Sequence, residues 1–130
     1  MRTRQLTSPA RVVGVTLMVL AALAFSGCGG GAPSQPAGSI KVTMTEFKFD
    51  PSSIDAKAGK VTLYLVNSGT TAHDLVVKDS SGGVVAKSKM VQSGDTTTLD
   101  IPNLPAGSYT ILCDVPGHAE SGMKGTLNAS

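Results

Sequence analysis

The stretch "CDVPGHAESGM" contains three potential metal donors at equal intervals of five residues: Cys113, His118 and Met123. The chain has one other histidine, His73. Thiolate and thioether sulfurs are soft ligands and favour copper over harder cations. Two imidazoles, one thiolate and one weak thioether form the arrangement that holds a single copper ion for electron transfer.

Zinc is the main competing interpretation of these residues. A structural zinc site uses four strong ligands, mostly Cys and His, and the chain after residue 28 contains three such groups, His73, Cys113 and His118. Asp74 or Asp114 offers a fourth ligand, but each lies beside a proposed ligand and would have to turn back toward the metal. Copper is therefore predicted, and zinc with a carboxylate remains the alternative.

Strand-like alternation leads into the stretch that contains these donors. In "SYTILC", Ile111 shares a face with Cys113, which predicts that the sulfur points toward the buried side. Pro116 and Gly117 predict a turn that brings His118 back toward the cysteine. One loop between two strands is thus expected to present its donors at one end of the domain.

The rest of the chain also has the pattern of short strands separated by turn residues. Alternation predicts strands at "IKVTMT", "KVTLYLVN", "HDLVVKD", "TTTLDI", "SYTILC" and "MKGTLNA", with a weaker one at "VVAK". At Glu46 the alternation changes phase, so that Phe47 and Phe49 become the apolar set, and a bulge or a change of sheet is expected there. These features predict an all-β protein with an antiparallel β-sandwich.

The start of the chain is predicted to be an export signal. Three arginines precede an apolar run of 14 residues, and a membrane span needs roughly 20. The junction "AFSGC" resembles the lipobox of bacterial lipoproteins. Residues 1–27 are therefore predicted to be a signal peptide, and Cys28 is predicted to be a lipidated N-terminus. The alternatives are a plain cleavage site with Cys28 as an unmodified thiol, and a disulfide between Cys28 and Cys113.

Residues 28–39 are predicted to be the lipidated cysteine and a flexible tether, because "GGGAPSQPAGS" contains small, polar and proline residues. Eleven flexible residues would have a root-mean-square span of about 18 Å. Residues 40–130 are assigned to the copper-binding domain. Without residues 1–27, eight lysines and nine carboxylates give a net charge of 8 − 9 = −1. This balance does not suggest nucleic-acid binding, which needs a basic patch.

The donor pattern resembles that of the cupredoxins, the small blue copper proteins. In this family an upstream His is followed by Cys, His and Met at short intervals, as in His73, Cys113, His118 and Met123. The gap between Cys113 and His118 is similar to that in sulfocyanins and auracyanins. "EFKFDPSSIDAKAGKVTLYLVNSGTTAHDL" also resembles the N-terminal half of plastocyanin- and azurin-like domains. The resemblance covers roughly residues 40–128 and implies a Greek-key β-sandwich with one copper.

The resemblance also implies a function. The expected protein is a monomeric electron carrier with no enzymatic activity, because copper enzymes of this fold need further histidines and the chain has two in total. Its expected partners are a cytochrome or oxidase complex, met at the outer face of the cytoplasmic membrane or in the periplasm. Val115, Pro116 and Ala119 flank His118 and are expected to form an apolar docking patch. A copper chaperone or scavenger is the alternative function.

Asp74 departs from the family pattern, which often has Asn after the first histidine to steady the ligand loop. An ionised aspartate accepts hydrogen bonds but cannot donate them. From the sequence, two roles stay open for Asp74: it adjusts the copper potential, or it faces solvent.

Overall fold

The computed structural model describes residues 33–130, so the predicted signal peptide and Cys28 lie outside the described residues. The described residues form the strands β1 (Ile40–Thr45), β2 (Lys48–Asp50), β3 (Ser53–Ala56), β4 (Gly59–Asn67), β5 (Val76–Lys78), β6 (Val84–Lys87), β7 (Thr96–Leu104), β8 (Gly107–Leu112) and β9 (Lys124–Ala129). Between Pro33 and Ser130 there is no helix long and apolar enough to cross a membrane.

The strands form two sheets, which confirms the predicted all-β fold. The first sheet has the order β2-β1-β4-β7, and the second has the order β3-β9-β8-β5-β6. Most neighbours are antiparallel, but β1 pairs with β4 and β3 pairs with β9 in parallel. Alternation within one strand does not specify the direction of its neighbour, so these mixed pairings go beyond what the sequence pattern predicted.

The hydrophobic core lies between the sheets and follows the predicted alternation. Val61, Leu63 and Leu65 of β4 are at most 4% exposed. Burying a side chain of this size stabilises a fold by about 1.5–3 kcal/mol. The core cluster also includes Val42, Met44, Phe49, Ile54, Leu75, Val77, Leu99, Ile101, Leu104, Tyr109, Ile111 and Leu127.

The phase change at Glu46 is a turn between two strands of the same sheet. β1 and β2 are antiparallel neighbours, with Thr45 opposite Lys48. Phe49 is buried as predicted, but Phe47 is 39% exposed because it lies in the turn. A turn, rather than the expected bulge or change of sheet, therefore lies at this point. It brings Glu46 and Phe47 to the two histidines.

The predicted ligands lie where strands of the second sheet begin or end. β8 ends directly before Cys113, and β9 begins directly after Met123. The strand predicted at "HDLVVKD" is shorter than expected, since β5 begins at Val76. His73 precedes it and forms an isolated antiparallel bridge with Val91. Both segments that carry ligands are thus held by backbone pairing.

Candidate metal centre

Backbone hydrogen bonds close the loop from Cys113 to Met123. The Cys113 N–H donates to the Met123 carbonyl oxygen (3.1 Å), and the Met123 N–H donates to the His118 carbonyl oxygen (3.0 Å). The turn before His118 is closed by its N–H on the Val115 carbonyl oxygen (3.0 Å). Gly117 has a φ of 83° in this turn, a conformation that glycine adopts without the steric cost of a Cβ.

A buried asparagine organises the segment that carries His73. The Asn67 Nδ2 donates to the carbonyl oxygens of Thr71 (2.7 Å) and Val91 (2.9 Å), and its Oδ1 accepts the Gly69 N–H (2.9 Å). The backbone of His73 exchanges two hydrogen bonds with Val91 (3.1 and 2.8 Å). Asn67 is 1% exposed, so these bonds are shielded from water and hold the loop before His73 in one arrangement.

The structure brings three of the four predicted ligands together. His73 Nδ1 lies 3.1 Å from His118 Nδ1, and Cys113 Sγ lies 3.5 Å from His118 Nδ1. One ligand atom from each residue lies within 4.8 Å of the others. Around one metal with tetrahedral angles, bonds of about 2.0 Å to nitrogen and 2.3 Å to sulfur give N···N and N···S separations of about 3.3 and 3.5 Å. The donors therefore fit a single metal ion with little rearrangement.

Met123 lies in the same loop, and its side chain is fully buried in the core cluster that includes Cys113. Its backbone contacts both other ligands of the loop. Its role as the axial donor stays a prediction. His73 and Cys113 are also 0% exposed, and His118 is half-buried. The candidate site is thus sealed on its inner side and reaches the surface at His118.

Burial favours the neutral forms of two predicted ligands. Desolvation is the main cause that lowers the pKa of His73, and it is also the main cause that raises the pKa of Cys113. A neutral imidazole is the form that binds a metal, whereas a thiol must first lose its proton. Metal binding at this site therefore releases the Cys113 proton.

Glu46, which no sequence motif indicated, lies against the second ring nitrogen of His73. Its Oε1 is 3.4 Å from His73 Nε2 and accepts the N–H groups of Thr70 (2.7 Å) and Thr71 (2.8 Å). Backbone hydrogen bonds, above all that from Thr71, lower the pKa of Glu46 to about 2, so the group is ionised at neutral pH. A carboxylate opposite Nε2 favours a proton on that nitrogen and leaves Nδ1 free for a metal. In the sequence, the feature that could have drawn attention to Glu46 was the change in the alternation of polar and apolar residues at this position.

Asp74 is 1% exposed, which excludes the solvent-facing role. Its Oδ1 accepts the Asp114 N–H (2.7 Å) and ties the His73 segment to the residue after Cys113. Its Oδ2 lies 3.3 Å from Lys87 Nζ, which also reaches Asp114 Oδ2 at 2.9 Å. A buried negative charge beside two ligand segments stabilises the more positive state of a bound metal.

A His₂Cys cluster at the loop end of a β-sandwich defines a class of small proteins that hold a single copper. A family model described as a cupredoxin-like domain matches residues 14–128, and the chain belongs to this family. The resemblance seen in the donor pattern is thereby confirmed, and the His, Cys and Met donor set fits one copper.

Comparison with individual proteins agrees with this family. The chain is 32% identical over 73 residues to the basic blue protein of Cucumis sativus, a match that spans 56% of this chain and 74% of that protein. The fold is similar to that of auracyanin B, with a TM-score of 0.66 and 21% identity over 76% of this chain and 93% of that one. It is also similar to auracyanin from Roseiflexus castenholzii, with a TM-score of 0.64 and 20% identity over 77% and 99%. At these sequence identities, the likeness to the two structures shows the fold alone.

Glu46→Gln is expected to lower copper affinity by about 10–100-fold, because a neutral amide holds the Nε2 proton of His73 less strongly. Glu120→Gln is the matched control, since it removes the same charge from an exposed position of the ligand loop. Titration against a copper chelator measures both variants. Equal affinities in the two variants would show that Glu46 does not orient His73.

Asp74→Asn is expected to raise the reduction potential of the copper-loaded protein. The amide oxygen can still accept the Asp114 N–H, but the buried negative charge that stabilises Cu(II) is lost. Asp114→Asn removes the same charge from a side chain that is 55% exposed, where solvent screens it. Voltammetry compares the two variants, and a shift for Asp74→Asn no larger than that for Asp114→Asn would contradict the assignment.

Proposed function

We propose that this protein carries single electrons outside the cytoplasm through one type 1 copper bound by His73, Cys113, His118 and Met123. The convergence of two imidazoles and one thiol, with ligand atoms within 4.8 Å of one another, carries this proposal. Copper supplies the redox chemistry by cycling between Cu(I) and Cu(II). Two histidines leave none for a second copper centre, which supports a carrier rather than an enzyme.

The protein's part in electron transfer is to hold the donors in nearly the same positions in both oxidation states. Backbone bonds fix the loop of Cys113, His118 and Met123 and pair His73 with Val91. The side chains of His73, Cys113 and Met123 are packed in the interior, which resists displacement because it has little free volume. Each transfer then requires little movement of the protein.

His118 is the proposed route of the electron to the surface. It is half-buried, whereas the other proposed ligands are fully buried. The exposed ring of Phe47 packs edge-on against the His118 ring, with 4.9 Å between centroids. With Val115, Pro116 and Ala119, Phe47 would form an apolar docking patch for a redox protein such as a cytochrome or oxidase complex.

The proposed location is the outer face of the cytoplasmic membrane or the periplasm, with a lipid on Cys28. The support is "AFSGC", which resembles a lipobox and follows a basic and then apolar leader. More than one acyl chain gives stable anchoring. Attachment would raise the effective concentration of the carrier for membrane-bound partners.

Copper-loaded wild-type protein is expected to be intensely blue or green, and Cys113→Ser to be colourless, because the charge-transfer band requires the thiolate sulfur. Visible and electron-paramagnetic spectra, with copper content measured on the same samples, test the proposed function. Fast electron self-exchange would distinguish a carrier from a copper chaperone or scavenger. A colourless wild-type protein with a full equivalent of Cu(II) would exclude the type 1 site.

Met123→Leu is expected to retain copper and to raise the reduction potential, because a weak axial thioether tunes a site more than it holds the metal. Met44→Leu is the matched control, since Met44 is equally buried in the core but is not a proposed ligand. Voltammetry and copper analysis measure both variants. Loss of copper from Met123→Leu but not from Met44→Leu would show that Met123 is required to bind the metal and does more than tune its potential.

Cys28→Ala is expected to move the protein from the membrane fraction to the soluble fraction with its colour intact, because the copper ligands lie elsewhere in the chain. Fractionation and mass spectrometry of the mature N-terminus measure the change. A wild-type protein that is soluble and begins at another residue would contradict the lipid anchor, but not the copper site.

A further inference from the structure

The segment just before β1 is folded onto the domain. Residues 33–39, here called the collar, precede Ile40 and lie in the part of the chain predicted as tether. The Tyr64 hydroxyl donates to the Pro33 carbonyl oxygen at 2.5 Å. Tyr64 alternates with the core residues Leu63 and Leu65 and so projects from the outer face of the first sheet, yet it is 7% exposed. The collar covers this ring.

The collar also has internal hydrogen bonds. The Ser39 N–H and hydroxyl both donate to the Pro36 carbonyl oxygen (3.1 and 2.6 Å), and the Gln35 Nε2 donates to the Ser39 carbonyl oxygen (2.9 Å). Gly38 has a φ of 74°, which suits the tight turn. Pro33, Ser34 and Pro36 line a pocket of about 230 Å³ together with Tyr64, Lys89 and Thr96–Thr98. The collar is therefore attached to the side of the sandwich, on β4 and β7.

This attachment shortens the connection to a lipid on Cys28. Residues 29–32 remain between Cys28 and Pro33, and five residue steps span at most about 18 Å. If the whole tether were free, about 11 residues would extend to about 40 Å. The side of the sandwich near Tyr64 is thus kept close to the point where the acyl chains enter the bilayer.

The sheet face around the collar is polar and has a small excess of positive charge. Lys41 pairs with Tyr64 in register, and Lys48 follows on β2. With Lys60 on β4 and Lys89 beside the collar, four lysines stand against two carboxylates, Asp50 and Asp100. Such a face suits phosphate-containing headgroups rather than the hydrocarbon interior.

We propose that the collar turns the outer face of the first sheet toward the lipid headgroups, so that the anchored domain lies on its side. This proposal rests on the proposed lipid anchor at Cys28. The strands then run roughly along the membrane, and the end that carries His118 points sideways rather than away from the bilayer. In this orientation, the docking patch faces the extramembrane part of a neighbouring membrane protein.

Native lysines can report this orientation in full-length lipidated protein bound to vesicles of phosphatidylcholine and phosphatidylglycerol. Lys41 and Lys48 lie on the proposed contact face, whereas Lys78 and Lys124 lie on the second sheet. An amine-reactive reagent that does not cross membranes is applied to this sample and to soluble Cys28→Ala protein. We expect Lys41 and Lys48 to lose most of their reactivity on the vesicles, and Lys78 and Lys124 to keep theirs.

Tyr64→Phe combined with Pro33→Gly and Pro36→Gly removes the hydrogen bond between the Tyr64 hydroxyl and residue 33 and frees the backbone that the proline rings restrict, without changing Cys28. This variant is expected to stay on the vesicles and to lose the difference between the two lysine pairs. In soluble protein, slow exchange of the Ser39 amide proton in the wild type, and fast exchange in the variant, tests the collar by itself.

Equal protection of all four lysines in lipidated wild-type protein would overturn the orientation and leave the anchor intact. Stronger protection of Lys78 and Lys124 than of Lys41 and Lys48 would also overturn the orientation. A collar variant that keeps the wild-type difference in reactivity between the two lysine pairs would overturn it as well. Absence of a lipid on Cys28, found by mass spectrometry, would overturn both the anchor and the orientation.

Discussion

The metal centre depends on two backbone hydrogen bonds at the base of the ligand loop, from Cys113 to Met123 and from Met123 to His118. Because these bonds use main-chain groups, the three side chains remain free to act as donors. β8 and β9 are antiparallel neighbours, and their last pair before the loop is Leu112 with Lys124. The loop thus continues a ladder that is anchored in the core. This scaffold places Cys113 and His118 at a separation that fits one copper.

Two carboxylates act on this scaffold from outside the donor set. Glu46 faces the ring nitrogen of His73 that points away from the other donors, whereas Asp74 bonds to the backbone of Asp114. A buried charge is costly unless it is paired, and Lys87, which is 47% exposed, supplies the opposite charge to Asp74. The hydrogen bond of Lys87 to Asp114 and its ion pair with Asp74 raise the pKa of Lys87, so it stays charged at neutral pH. This pairing allows a negative charge to remain beside the copper ligands.

The sequence indicated the candidate ligands, but it did not indicate the residues that contact and hold them. Cys113 and His118 share one loop, and alternation from Ile111 correctly predicted a buried sulfur. Glu46 reaches Thr71 and His73 from a turn that is distant in the chain, and Asn67 reaches Val91 in the same way, contacts that no local pattern specifies. β3 (Ser53–Ala56) was missed for a similar reason, because its partner β9 comes from the other end of the chain. Local alternation therefore finds strands and donors, but it does not find contacts set by topology.

The collar shows why composition alone is a poor guide to a short segment. Small and polar residues cannot form a core, which is why flexibility was predicted for residues 28–39. The seven residues of the collar do not need a core of their own, because they can pack against an aromatic ring of the domain. Tyr64 presents such a ring on the outer face of β4. A tyrosine can bury its ring and still satisfy its hydroxyl, as it does on Pro33. Proline also restricts the unfolded chain, so ordering the collar costs less conformational entropy. In the proposed orientation, the rigid sandwich, rather than a free tether, determines where the end that carries His118 points.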